Sequence, residues 1–274
     1  MPNMTAGGSR RSPASLCAAT FIGAAFLLAT GPAIAEVDGA RLAQATRSAN
    51  AFVALAAGSE TSGAAPRESD PMVAELFARI LDTTVFGMEG PGAPGPNLED
   101  AAAAATLLEN GTRMLTAYML AGTGKGSLEA LAEDARALAR ADENMATYAP
   151  EVGRIYDFTA RMQGVVADAV AAFQGAASPE EEKAIEAGLA DLRSGMVQTF
   201  GAILSDIGDD TFDLDWQKQR TAVLGDVGPR IARLLAEADL VALRAQVTAL
   251  AGAASDTSLK SELQRLALVL KASQ

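Results

Sequence analysis

Apolar residues recur every three or four positions along almost all of this chain, and this spacing limits the folds that it can adopt. In the first such segment the apolar positions are Leu42, Ala45, Ala49 and Phe52, which a helix places on one face. Nowhere do apolar and polar residues alternate between turn signals, as a half-buried strand requires. The pattern predicts an all-α protein, an antiparallel helical bundle of seven or eight helices with no significant sheet.

Three local signals predict where helices begin. Asp70 precedes a proline, which is typical of a capping residue followed by proline in the first helical turn. The S-P-E-E sequence at 178–181 is a capping box, and Asp256 precedes the last apolar repeat. Because only a short turn separates the repeats at 150–174 and 179–207, we expect these segments to form a long antiparallel hairpin.

Other segments predict interruptions of the helical pattern. Residues 58–69 have no apolar period and indicate a flexible connector. Asn110-Gly111 indicates a break, and residues 225–229, which contain two glycines and a proline, predict another. We then expect a new helix from Ile231 onward, apolar on more than one face and therefore central in the bundle.

The first 35 residues have the layout of a cleaved export signal peptide. Two arginines precede an uncharged apolar run at 16–29, which is followed by a glycine–proline pair. Ala33 and Ala35 form the small-residue pattern at which such signals are cut, so cleavage is predicted ahead of Glu36. The alternative is an uncleaved membrane anchor, although the apolar stretch is barely long enough to span a bilayer.

Cleavage at that position would leave residues 36–274 as a helical bundle domain, exported to the periplasm or the extracellular space without a stable membrane anchor. Within this domain we expect residues 36–147 to form a looser half and residues 148–274 a tighter half. The single cysteine, Cys17, would leave with the signal, so the domain would gain no stability from disulfides.

Composition excludes several chemistries. The chain contains no histidine, and therefore no Ser-His-Asp triad, no histidine general base and no haem histidine ligand. The common zinc sites and the helical di-iron sites also need His or Cys, so we expect no cofactor. The formal net charge of −12 repels phosphate backbones, which argues against a nucleic-acid partner.

Carboxylates are the main remaining candidates for catalysis. Glu129 and Glu133, and likewise Glu182 and Glu186, are spaced four residues apart, as an acid pair on one helix face would be. Such pairs are usually part of a solvated face, so we assign no catalytic residue. The glycine-rich residues 122–127 depart from the phosphate-binding loop pattern and predict a turn that ends in a serine cap.

Asp209, Asp213 and Asp215 are weak candidates for a metal site. Carboxylate oxygens suit Ca²⁺, but Leu214 and Arg220 stand where a calcium-binding EF-hand loop needs glycine and glutamate. The alternative is an acidic loop ahead of a helix N-terminus, where negative charge interacts favourably with the helix dipole. The failed spacing favours this alternative.

Two function classes remain open. The first is a non-catalytic binding or interaction module of the cell envelope, whose partner is an unknown protein or an apolar ligand held between helices. The second is a carboxylate-based hydrolase or lyase that works without His, Cys or a transition metal. The missing catalytic residue types favour the first class. An exposed apolar helix face would support it further, whereas a cleft with two acids of raised pKa would support the second.

Overall fold

The computed structural model describes residues 37–86, 98–175 and 178–271, and within these residues every regular element is helical. The α-helices of the described residues are α1 (Gly39–Ala56), α2 (Ser59–Ser62), α3 (Pro71–Ile80), α4 (Leu98–Leu120), α5 (Leu128–Ala132), α6 (Ala135–Thr147), α7 (Ala149–Gln174), α8 (Pro179–Ile207), α9 (Leu214–Ala232), α10 (Glu237–Ala253) and α11 (Thr257–Val269). A 3₁₀ turn at Thr83–Phe86 follows α3. The all-α prediction is confirmed, since these three ranges contain no strand.

The predicted helix starts are confirmed at three positions. The Asp70 carboxylate accepts a hydrogen bond from the Met72 N–H (2.8 Å), with proline at the first position of α3. The Asp256 carboxylate accepts one from the Leu259 N–H (2.8 Å) at the start of α11. The long helix α8 begins at Pro179, within the capping-box sequence.

The predicted export signal, with its cleavage residues Ala33 and Ala35, lies outside the described residues. Residues 87–97 also lie outside them. In the part of the chain that the structure describes, no helix combines the length and the apolar character needed to cross a membrane.

The segment at 58–69, predicted as a flexible connector, instead contains a helical turn and specific hydrogen bonds. The short helix α2 forms at its start, and the Gly122 N–H donates to the Ser59 carbonyl (2.8 Å). The order of this segment depends on polar contacts with residues distant in sequence, which apolar periodicity does not reveal.

The described residues form eleven α-helices, more than the predicted seven or eight, and two of the additional helices have a local cause. One extra helix is α2. In addition, the helix predicted after Ser127 divides into α5 and α6, because the Asp134 carboxylate accepts hydrogen bonds from the Arg136 and Ala137 N–H groups (3.0 and 3.3 Å). These bonds cap a new helix inside the segment that periodicity assigned to a single one.

The predicted breaks at Asn110-Gly111 and at 225–229 are wrong, because α4 and α9 continue through them. At both places the helix packs on a neighbour. Where α9 meets α11, an added Cβ on Gly228 would lie 3.4 Å from Val269 Cγ1. Tertiary contacts therefore outweigh the weak helix propensity of these residues.

The central helix of the described bundle is α7, which packs against α4 on one side and α9 on another. The hairpin prediction is confirmed, because the Tyr156 hydroxyl near the start of α7 donates to the Asp206 carboxylate near the end of α8 (3.0 Å). The next helix, α9, runs parallel to α7. A contiguous apolar core connects α1 with α11, and its aromatic centre contains Phe52, Phe77 and Tyr118 with ring centroids 5.7 to 6.4 Å apart.

The position expected for the helix after residue 229 is wrong. Ile231 still belongs to α9, and α10 begins only at Glu237. One face of α10 carries Leu240, Leu243 and Val247, which are buried where α10 packs on α8 and α11. The opposite face is exposed rather than central, although its residues are also uncharged.

Candidate functional site

The three aspartates considered for a metal site lie in the loop before α9 and in its first turn. Asp213 caps α9, since its carboxylate accepts a hydrogen bond from the Trp216 N–H (2.8 Å). Asp209 accepts hydrogen bonds from the backbone N–H and the hydroxyl of Thr211 (2.9 and 2.7 Å), and Asp215 is exposed to solvent. Across the described ranges, no group of three or more His, Cys, Asp or Glu side chains is placed to hold a metal ion.

The glutamate pairs occupy helix surfaces. Glu129 and Glu133 are exposed. Hydrogen bonds to its own backbone N–H and to Ser127 lower the pKa of the Glu129 carboxyl, whereas a general acid near neutral pH needs a raised pKa. Glu186 forms an ion pair with Arg193 (3.2 Å). The fourth glutamate, Glu182, has a side chain that is not among those described.

A ladder of ion pairs joins α7 to α9, and the sequence analysis missed it. At the first rung, Arg220 Nη2 lies 2.6 Å from Asp157 Oδ2, and the guanidinium packs against Gly153. Beside this rung, the Trp216 indole N–H donates to the Ala149 carbonyl (2.9 Å). The contact between Arg220 and Gly153 is so close that any side chain at Gly153 would collide with the guanidinium.

The second rung repeats the first one further along both helices. Arg230 Nε lies 2.7 Å from Asp168 Oδ2, and its guanidinium lies against Gly164. The signal in the sequence is the pattern G-x-x-x-D, which occurs at 153–157 and again at 164–168, about three helical turns later. This spacing brings both Gly–Asp pairs to the same face of α7, and the parallel helix α9 supplies one arginine to each.

The first rung is the more buried of the two. The Arg220 side chain is 3% exposed and the Asp157 side chain is 17% exposed. Burial raises the pKa of the Asp157 carboxyl and lowers the pKa of the Arg220 guanidinium, while the attraction between the two opposes both shifts. Because breaking a buried pair leaves an unpaired charge, alignments of α7 and α9 that separate Asp157 from Arg220 are disfavoured. Asp157 is thus committed to a structural contact.

A second polar cluster lies where the loop 57–70 crosses the start of α7. The cluster contains Tyr118, Tyr148 and Glu151, all of which are buried. Burial, reinforced by the nearby Glu151 carboxylate, raises the pKa of Tyr118, so its hydroxyl keeps its proton and acts as a donor. Glu151 Oε2 is buried and has no hydrogen-bond partner among the described residues. The nearest cation shown is Arg67 Nη1, at 3.7 Å.

The exposed side of α10 is an uncharged surface. Five of its positions, from Ala238 to Gly252, step by four and three residues, which is the spacing of a helix–helix seam, and Val241 lies beside them. The six residues that we call the α10 face are Ala238, Val241, Ala242, Ala245, Ala249 and Gly252. Val241 is 51% exposed, and Leu268 on the adjoining helix α11 is 67% exposed. The sequence predicted a central helix from Ile231, apolar on more than one face, whereas α10 begins at Glu237 and one of its uncharged faces is exposed.

No protein-family model, curated protein or solved structure gives a significant match to this chain. Two features of the described residues could bind another molecule. The α10 face is uncharged and yet exposed, and the polar cluster at the start of α7 contains a buried carboxylate oxygen without a hydrogen-bond partner among the described residues.

Proposed function

We propose that this protein is an exported, non-catalytic interaction module of the cell envelope, and that it binds an apolar helix of a partner protein on the α10 face. The observation that supports this most strongly is the exposure of an uncharged face on a helix whose other face is already buried. A helix that is apolar on both faces is normally buried on both.

The shape of the α10 face favours a helix as the partner. Four alanines and one glycine follow a repeat of four and three residues, from Ala238 to Gly252. Small side chains at heptad spacing allow two helix axes to approach closely, and Val241 at the edge provides a larger apolar contact. The net charge of −12 repels acidic partners from the charged parts of the protein surface. The α10 face carries no charge and therefore suits an apolar partner.

Export is supported by the order of charge, apolar run, helix break and small residues in the first 35 positions. Intact-mass analysis of protein taken from its native compartment tests it. The expected first residue is Glu36. A membrane-bound form that retains residues 16–29 would contradict export with cleavage.

Site-specific photo-cross-linking in living cells tests the binding face. A photoreactive amino acid at Ala245 should give a discrete adduct with a second polypeptide. The same amino acid at Ala139, an exposed alanine on the charged surface of α6, should not. Adding Val241→Arg should abolish the Ala245 adduct without changing the melting temperature. Equal adducts from both positions, or an adduct from neither, would contradict the proposed face.

A further inference from the structure

The loop 57–70 makes a longer excursion than its connection requires. It joins α1 to α3, and these two helices pack against each other. Connections between neighbouring helices are usually two to about eight residues long. Instead of turning directly, this loop travels to the end of α4 and the start of α7, where residues 65–68 are held by side chains of those helices.

The helices hold residues 65–68 mainly by backbone groups. The Ala65 N–H donates to the Tyr148 hydroxyl (2.8 Å), and the Tyr118 hydroxyl donates to the Pro66 carbonyl (2.8 Å). The Glu68 N–H donates to Glu151 Oε1 (3.0 Å). Hydrogen bonds to the main chain of a bound segment are one of the means by which proteins bind peptides from other chains.

Two side chains of the segment are also recognised. The Arg67 guanidinium lies 4.1 Å from the centre of the Tyr148 ring and donates to the Thr147 carbonyl (2.8 Å). The Glu68 carboxylate forms an ion pair with Arg154. The Tyr148 ring therefore contacts the arginine, and the Arg154 guanidinium pairs with the acidic residue that follows it.

The side chains that hold the backbone of residues 65–68 are polar and buried, so they require hydrogen-bond partners. Tyr118 is fully buried and Glu151 is 3% exposed, with one carboxylate oxygen already lacking a hydrogen-bond partner among the described residues. If residues 65–68 left without replacement, buried donors and acceptors would lose their partners, which is unfavourable for each group. The site is therefore more favourable when residues 65–68 are exchanged for another peptide segment than when it is left vacant.

We propose that Tyr118, Tyr148, Glu151 and Arg154 form a binding slot for a peptide segment that carries an arginine followed by an acidic residue. In this structure residues 65–68 of the chain itself occupy the slot. A partner peptide of the same chemistry displaces them and is held by the same contacts. This second surface is distinct from the α10 face and does not depend on it.

The first test uses the unaltered protein and a synthetic peptide of residues 62–70, SGAAPRESD. A tethered segment has a millimolar effective concentration, so the peptide is added at about 5 mM. Amide exchange followed by NMR should speed up several-fold at Ala65 and Glu68, whose N–H groups are protected by the slot. A control peptide with the two charges exchanged, SGAAPERSD, should leave both rates unchanged.

The second test weakens the internal occupant. In Arg67→Ala/Glu68→Ala, the peptide SGAAPRESD should bind at least about tenfold more tightly than to the unaltered protein, because the tethered competitor is weakened. Adding Tyr148→Phe should reduce that binding, whereas Tyr156→Phe, outside the slot, should not.

Acceleration in the first test or saturable binding in the second supports the slot. The proposal is overturned if the amide exchange rates at Ala65 and Glu68 stay unchanged and the peptide does not bind to a folded Arg67→Ala/Glu68→Ala variant. The loop would then be a permanent structural element. If the double variant does not fold, the exchange experiment on the unaltered protein decides alone.

Discussion

Gly153 shows how a single missing side chain determines the contact between α7 and α9. A Cβ at this position would lie 2.7 Å from Trp216 Nε1 and would also collide with the Arg220 guanidinium. Both neighbours are buried, so neither can move aside freely. We expect Gly153→Ala to lower the free energy of unfolding by about 1 to 3 kcal/mol, as overpacking does, measured by urea denaturation.

Gly225 provides the matched control, because it also lies inside a helix and a Cβ added there meets nothing within 4 Å. Gly225→Ala should leave stability unchanged or raise it by up to about 1 kcal/mol through helix propensity. If both variants shift stability equally, the close approach at Gly153 is not the cause.

Gln163 is a buried polar residue in the middle of α7. It is 1% exposed, and neither atom of its amide has a hydrogen-bond partner in the ranges that the structure describes. Gln163→Met keeps the length of the side chain and removes two unpaired polar groups, so unfolding free energy should rise by about 1 kcal/mol or more. The control is Gln246→Met, which removes the hydrogen bond to the Gly201 carbonyl (3.2 Å) and should cost about 1 kcal/mol. A destabilised Gln163→Met would mean that this amide is satisfied in solution.

At the scale of single residues, the sequence predicted caps but not long-range partners. Asp70 and Asp256 cap helices as expected, because a cap depends only on residues two or three positions away. The pairing of Asp157 with Arg220, or of Arg67 with Tyr148, joins residues more than sixty positions apart. Local spacing contains no information on such contacts, although the repeated G-x-x-x-D pattern gave a partial signal.

Among the elements, α9 differs most from the prediction made from its sequence. It contains Pro229 in its interior, where proline removes one helical hydrogen bond, and Gly225 and Gly228 weaken the same turn. The helix is maintained by α7, α8 and α11, which pack on it. Tertiary contacts of this kind override propensity, so a break was the natural prediction for residues 225–229 and the continuous helix was not.

The cost of that proline is testable, since Pro229 is exposed and its replacement leaves the core unchanged. Pro229→Ala should restore the missing N–H donor and raise the melting temperature, with a gain in unfolding free energy of about 1 to 3 kcal/mol. A lower melting temperature would show that proline stabilises α9 at this position.

For the molecule as a whole, composition predicts how stability responds to pH. The chain has no histidine, so few groups titrate near neutrality and the melting temperature should be flat from about pH 6 to 8. A shift of several degrees in that window, measured by circular dichroism, would contradict this prediction and would reveal a carboxylate or lysine whose pKa lies near neutrality.

Acid should destabilise the fold through capping aspartates. Hydrogen bonds lower the pKa of Asp134, through Lys125 first, and of Asp256, through the Leu259 N–H first. Below the usual aspartate pKa the unfolded chain binds more protons than the native state, so stability is present above about pH 4 and is lost as pH falls through the lowered pKa values. Asp256→Asn should reduce the slope of melting temperature against pH below pH 4 and leave the plateau near neutrality flat. An unchanged slope would contradict this role.

The proposed function requires that a partner covers the α10 face, and thiol labelling measures this directly. The single cysteine, Cys17, lies in the predicted signal, so a cysteine introduced further along would be the reactive thiol of the processed chain. With Ala245→Cys and, as the control, Ala139→Cys, labelling by a polar maleimide is compared between intact cells and purified protein. We predict that Ala245→Cys is protected in cells and reactive after purification, whereas Ala139→Cys reacts equally in both. Equal reactivity of Ala245→Cys in both states would contradict the proposed function.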